Sequence, residues 1–290
     1  MRIRRMAAPA VAAGLLVAVM TGVAAHQPAT DAFERTWART DMPVADQLVS
    51  RTWMWGPEAI SGPLLEPYEE APGGERLVQY FDKSRMEVTD PDGDAYSPWY
   101  VTNGLLAKEM ITGEMQIGDD AVVPFAPAEI PVAGDYDDPY APTYATFAGK
   151  LYEPLGYGGA VIDRRIDRDG NVWVDDSVAY NNVYADHYVI ETNHRVASVF
   201  WGFMNGYGAV YEDGDYRQDE LFENPFYATG LPVTEAYWAS VKVGGEYRDV
   251  LIQCFERRCL TYTPDNPHGF EVEAGNIGLH YYIWRYGELP

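Results

Sequence analysis

The sequence predicts a β-rich α+β fold, with two related modules of short helices and β-hairpins flanking a linker and a small β region. Three observations carry this. Apolar residues make up 47% of the 290 residues and aromatics 14%, enough for packed cores. Short alternating segments punctuated by Gly, Pro and Asp recur along the chain, as hairpins require. A pattern in the first half also returns in the second.

In chain order, residues 1–25 read as an export signal. Arg2, Arg4 and Arg5 precede an apolar run from Met6, and Val23-Ala24-Ala25 fits a small-x-small cleavage site before His26. The alternative is an uncleaved anchor of about twenty residues. Cleavage removes three arginines and no acid, taking the net charge from −23 to −26. No later segment is apolar enough to span a bilayer. The expected location is therefore secreted or on the cell surface.

Residues 26–123 form the first module. Phe33-Glu-Arg-Thr-Trp37 is an amphipathic aromatic segment, and Trp55-Gly56-Pro57 is a turn. Val78-Gln-Tyr-Phe-Asp-Lys-Ser-Arg-Met-Glu-Val-Thr89 follows. Residues 124–143, rich in Pro, Asp and Ala, read as a flexible extended linker in which Asp135, Asp137 and Asp138 are solvated. Residues 144–190 form a small β region, with a hairpin between Val161 and Val174 centred on Asp169-Gly170.

Residues 191–290 form the second module. Val196, Val199, Phe200 and Phe203 fall on one face of a helix that Gly206-Tyr-Gly208 ends. Gly230-Leu-Pro-Val-Thr-Glu235 is a turn into a short helix, with Thr234 capping Glu235 to Trp238. Val241 to Val243, Gly244-Gly245 and Glu246 to Phe255 make a hairpin, and Leu260 to Thr263 a further strand. Ile252-Gln-Cys-Phe-Glu-Arg-Arg-Cys-Leu-Thr-Tyr-Thr263 aligns without a gap on Val78 to Thr89.

This register places Cys254 and Cys259 on either side of a turn. An extended chain would hold them about 16 Å apart, so a disulfide requires Phe255 to Arg258 to double back. Export to an oxidising compartment makes the bridge the default over a metal pair or free thiols. Tyr80 and Arg85 occupy the same places in the first module, so the turn forms there without a disulfide.

Glu191-Thr-Asn-His194, Gly-x-Pro-Val-Thr-Glu and Gln-x-Phe-Glu-Arg resemble repeats of uncharacterised exported bacterial proteins, in which a GYPIT(D/E)EF element precedes VQYFERxRFE. Residues 191–286 match closely, and residues 33–109 more loosely, without the Thr-Glu. More remotely, the Gly-Leu-Pro-Val-Thr-Glu element and the Thr-Tyr-Thr-Pro strand are similar to LGFP repeats, small modules of cell-envelope-associated proteins. The resemblance implies export and supplies no catalytic residue.

With 44 acids against 21 bases, the chain is a poor partner for nucleic acid, whose phosphates need basic patches. There is no Walker loop, Gly-x-Gly-x-x-Gly or Gly-x-Ser-x-Gly, so no cofactor is expected. Asp90-Pro-Asp92-Gly-Asp94 lacks the glycine and closing glutamate of a calcium loop and reads as a solvated turn. Asp167-Arg-Asp169-Gly-Asn171 reads as a hairpin turn, so no metal site is expected. His194 is expected to cap or pack, and His280 to pack among Tyr281, Tyr282 and Trp284.

The remaining candidates are aromatic platforms, which stack on sugars or anchor partners. Trp53, Trp55, Tyr237 and Trp238 are the residues singled out, with Arg257 and Arg258 at the second turn. The expected function is a non-catalytic exported module that binds envelope polysaccharide or a surface protein. A second possibility is a secreted, glycan-directed hydrolase with a site between the modules, which a cleft lined by His187, Glu191 or Glu235 would favour. A third is a structural surface protein.

Overall fold

The computed structural model describes residues 26–151, 153–154 and 158–290. The expected signal segment lies outside the described residues. The fold is mixed α+β and rich in strands. Four α-helices lie among the described residues: α1 (Asp31–Ala45), α2 (Leu106–Thr112), α3 (Ser198–Met204) and α4 (Ile277–Tyr286).

Helix α1 starts where Thr30 accepts a hydrogen bond from the Phe33 N–H at 3.1 Å, and Asp31 and Glu34 in its first turn favour the positive end of the helix dipole. Near its other end the buried Asp41 carboxylate accepts from the N–H groups of Met54 (2.9 Å), Trp55 (2.8 Å) and Gly56 (3.0 Å). Those contacts fix the following turn.

The first hairpin pairs Glu75–Phe81 with Ser84–Val88, and Leu64–Pro67 adds an edge strand. A six-stranded sheet runs in the order Val272–Ala274, Cys259–Tyr262, Glu246–Cys254, Tyr237–Val243, Arg164–Ile166, Val172–Val174. All its pairings are antiparallel except the bridge between Trp238 and Arg165. The hairpin between Val161 and Val174 therefore forms as expected and extends the sheet of the second half. Smaller hairpins pair Glu114–Gln116 with Val122–Pro124, Ala185–Val189 with His194–Ala197, and Tyr207–Glu212 with Asp215–Glu220.

Several local expectations change. Val196 lies in a strand, and the helix begins only at Ser198, because His194–Ala197 pair with Ala185–Val189 and are held extended. No helix forms over Glu235 to Trp238. Thr234 instead accepts from the Cys254 N–H at 3.1 Å, and Tyr237 opens a strand. The segment 124–143 is extended but packed, with Ala128, Ile130, Val132 and Ala141 buried. Its acids bond rather than float. Asp135 accepts from both Gly244 and Gly245 at 2.8 Å, the two turn glycines whose φ angles of 60° and 88° favour glycine. Asp138 is buried and accepts from the Lys242 N–H at 2.8 Å.

The central strands are covered on both faces. Tyr237 and Ile252 join one apolar cluster with Tyr80, Leu106, Phe147 and Tyr281. Trp238 and Leu251 join another with Phe200, Phe255 and Leu260. A third cluster holds Phe33, Trp55, Phe81, Val210 and Leu221. Each draws on distant parts of the chain, so the segments pack through shared cores.

The polar contacts of the two hairpins are alike. Buried Gln79 donates to Ser61 O (3.0 Å) and Gln27 O (2.9 Å) and accepts from Ala29 N (2.7 Å). Buried Gln253 donates to Thr234 O (3.0 Å) and Arg195 O (2.7 Å) and accepts from Ala197 N. Ser61 Oγ accepts from Tyr80 N as Thr234 Oγ1 does from Cys254 N. Helix α4 docks on the first turn through Leu279 N to Asp82 O (3.0 Å), and α2 on the second through Lys108 N to Glu256 O (3.0 Å). At Gly278 a Cβ would lie 2.0 Å from Phe81 O, so only glycine permits that approach.

The turns differ in their cross-strand pair. Cys254 and Cys259 face each other and form a disulfide. At the first turn Tyr80 faces Arg85. Arg85 is fully buried, bonding Glu66 at 2.9 Å and also Glu87. Arg76 joins Glu87 at 3.1 Å, and Arg285 joins Glu66 at 3.4 Å. Burial pushes both glutamates up, but the arginines outweigh it and hold them below the ordinary 4.5.

Two predictions follow from this contrast. Replacing both cysteines by alanine should leave a folded protein that has lost about 2 kcal/mol in urea unfolding, the chain-entropy value for so short a loop. Arg85→Met takes from two buried carboxylates the arginine they share, leaving each with one other, and should cost about 3 kcal/mol. Because the folded values of Glu66 and Glu87 are depressed, their stabilisation is present above 4.5 and is lost as pH falls through and below it. Urea midpoints measured from pH 7 down to about 3 should drop on that acid limb, less steeply in the variant.

Candidate functional site

Most of the residues singled out as platforms are interior. Trp55, Tyr237 and Trp238 are at most 2% exposed, and Trp53 is half-buried. Trp238 donates its indole N–H to Ile162 O at 2.9 Å and is edge-on to Tyr262. Arg258 is fully buried, donating to Ala228 O at 2.8 Å and Met54 O at 2.9 Å. Burial lowers its pKa to about 10. Tyr237, Trp238 and Arg258 offer no face to a ligand, while Trp55 reaches only the floor of the cleft beside α1. The reason is the two-sided cover of the central strands, which takes up large side chains on both faces.

Arg257 is half-buried, like Trp53, and lies behind an open surface. It donates to Tyr227 O at 2.5 Å, and its guanidinium carbon lies 5.7 Å from the centre of the Trp99 ring. Trp99 also packs on Tyr227 at 5.6 Å, yet stays 45% exposed. It belongs to the wall of a cleft of about 410 Å³ built by α1, residues 95–101, the turn 211–214 and residues 221–228.

Each wall has a local cause. Residues 90–100 fold as successive side-chain-capped turns. Asp90 accepts from Asp92 N (3.1 Å), Asp94 from Tyr96 N (3.0 Å) and Ser97 from Trp99 N (3.3 Å). Arg35 of α1 ties this loop down by donating to Ala95 O at 2.9 Å and lies 5.0 Å from the Tyr96 ring. Tyr227 OH donates to Val101 O at 2.8 Å. Opposite, Arg39 of α1 joins Glu212 at 3.0 Å and Glu220 O at 2.9 Å, and Tyr216 bonds Asp46. These contacts clamp the hairpin of residues 207–220 against α1.

The cleft thus presents the open face of Trp99, the exposed Tyr96 and neighbouring Tyr100 and Tyr211 above the apolar floor of Met54, Leu221 and Phe222. Flat rings over a concave floor suit stacking on a sugar or another flat apolar face. The signal for it was Tyr96-Ser-Pro-Trp99-Tyr100, an aromatic cluster in a stretch otherwise read as a solvated turn.

The histidines stand elsewhere. His187 stacks on Trp201 with centroids 3.6 Å apart. Buried His194 contacts Glu235 at 3.3 Å and Leu151 O at 3.1 Å. His280 meets the Tyr144 hydroxyl at 3.0 Å, and burial lowers its pKa to about 4. Neither His187 nor Glu191 lines this cleft, and Glu235 borders only a smaller hollow of about 220 Å³ beside Arg195. Among the described residues no three His, Cys, Asp or Glu side chains gather as metal ligands, and no helix is long and apolar enough to cross a membrane. Compared with protein-family models, curated proteins and solved structures, the chain matches none.

Core and cleft tryptophans should separate in stability. Trp238→Ala should cost about 3–5 kcal/mol and Trp99→Ala less than about 1 kcal/mol, measured by urea unfolding followed by circular dichroism.

Proposed function

We propose that this is an exported, non-catalytic binding protein whose cleft between α1, residues 95–101 and residues 207–228 holds an envelope glycan. The observation that carries this is Trp99, held by Tyr227 and Arg257 yet 45% exposed in the wall of the cleft. A ring fixed in this way loses little freedom when a sugar stacks on it. Export is supported by the arginine-led apolar N-terminus and by the Cys254–Cys259 disulfide, which suits an oxidising compartment.

We also read residues 26–123 and 191–290 as two divergent copies of one module. The paired roles of Gln79 and Gln253, and of Ser61 and Thr234, support it. So does the reciprocal docking of α4 and α2. On this reading the copies meet about a pseudo-two-fold axis, each terminal helix lying on the other copy's hairpin. The cleft then uses the first copy for α1 and the aromatic loop, and an excursion of the second copy for its far wall.

The test is co-sedimentation of residues 26–290 with purified envelope polysaccharide and peptidoglycan. Binding is expected, with Trp99→Ala and Tyr96→Ala each weakening it about tenfold or more, at unchanged circular dichroism. Release of soluble sugars would overturn the non-catalytic part. Sedimentation with envelope proteins and with no glycan would move the assignment to a protein partner.

A further inference from the structure

We infer that the cleft prefers a glycan carrying free, protonated amino groups over a neutral or anionic one, a preference that rests on the glycan-binding function proposed above. The inference starts from a charge inventory of its lining. Five acids and two arginines face the cleft. Arg39 pairs with Glu212, while Arg35 meets only the Tyr96 ring and Ala95 O and keeps its full charge in the lining. Arg217 bonds both Glu212 and Asp213. Asp31 and Glu34 on the α1 wall, and Glu223 opposite, have no ion-pair partner among the described residues and are exposed.

Counted with both arginines at full charge, the five acids of the lining leave an excess of three negative charges. The amino end of α1 supplies roughly half a positive charge near Asp31 and Glu34. Arg257 is engaged behind Trp99 by Tyr227 O. The chain as a whole carries −23 and adds to the negative potential at long range. An ammonium group near the exposed Trp99 ring also gains from the ring quadrupole, which a hydroxyl or an N-acetyl group does not. A uronate or phosphate polymer would meet like charge on both walls. A basic peptide shares the charge, but the aromatic walls here are α1 and turns. The one strand that reaches the lining, Tyr207–Glu212, contributes only Tyr211 and Glu212, too short an edge to pair with a peptide backbone.

The experiment is calorimetric titration of residues 26–290 with oligomers of β-1,4-linked glucosamine, the same oligomers fully N-acetylated, and oligogalacturonate. The glucosamine oligomer should bind about tenfold tighter than the acetylated one at low salt. The gap should close toward 1 M salt, where the screening length falls to about 3 Å. Combining Glu34→Gln with Glu223→Gln, both exposed changes, should remove the gap while leaving acetylated binding in place. Trp99→Ala should weaken both. Equal or tighter binding of the acetylated or anionic oligomer overturns the charge preference and leaves the glycan assignment standing. Binding of no oligosaccharide overturns both. Tighter binding of oligolysine than of the glucosamine oligomer replaces the glycan with a basic protein segment.

Discussion

The buried Arg85 is the constraint on which the rest of the molecule hangs. A guanidinium without solvent must find acceptors on every side, or its desolvation is not offset. Glu66 comes from the edge strand, Glu87 from the hairpin's own second strand, and the Tyr281 ring from α4 lies 4.9 Å away. Tyr80 and Tyr286 hydroxyls complete the shell of Glu66. One side chain therefore fixes the strand order of the first sheet and the place of the last helix. The effect continues outward. Glu87 also pairs through its backbone with Thr102, immediately after the aromatic loop. Both ends of the loop that presents Trp99 are thereby held.

The two hairpins solve the same local problem by different chemistry. Each must close a tight turn at the bottom of a packed core. In the second half the pair is Cys254 and Cys259, which lies among apolar residues and makes no demand on neighbours. In the first half the pair is Tyr80 and Arg85, which demands carboxylates. The acids that answer it, Glu66 and Glu87, sit only on that side. A covalent pair is indifferent to acid, whereas the ionic one depends on charged carboxylates. The first turn is thus sensitive to acid and the second to reductant.

Much of this was legible because turn chemistry is local. Gly244-Gly245 and Asp169-Gly170 define their hairpins from the sequence alone, and the doubling-back that a disulfide demands located Phe255 to Arg258. What stayed hidden depended on what covers a strand. Tyr237 and Trp238 are neighbours, so in a half-solvated sheet one of them would face out. Both are buried because different clusters lie on the two faces. Nothing within residues 230–240 reports that. The same limit applied to Asp135 and Asp138, whose partners lie more than a hundred residues away. The helix expected after Thr234 failed because the Thr234 hydroxyl found Cys254 N rather than its own helix.

The position of the cleft follows from a difference between the two halves. From the Trp55 carbonyl to Lys83 N, and from the Thr229 carbonyl to Arg257 N, the halves run in step. Ahead of those points they diverge. The first half passes from the end of α1 to Trp55 in a few residues, pulled tight by Asp41 on the Met54, Trp55 and Gly56 amides. The second inserts the hairpin of residues 207–220 and the segment to Ala228 between α3 and Thr229. That extra chain has to pack somewhere, and its apolar side, Val210, Leu221 and Phe222, joins the cluster of Phe33 and Trp55 under α1. The hairpin therefore rises beside α1 and the aromatic loop without filling the space between them. The hollow is the shape left where the hairpin of residues 207–220 leans on α1 beside the aromatic loop. Its aromatic and acidic lining stays open because no side chain of the core reaches back to cover it.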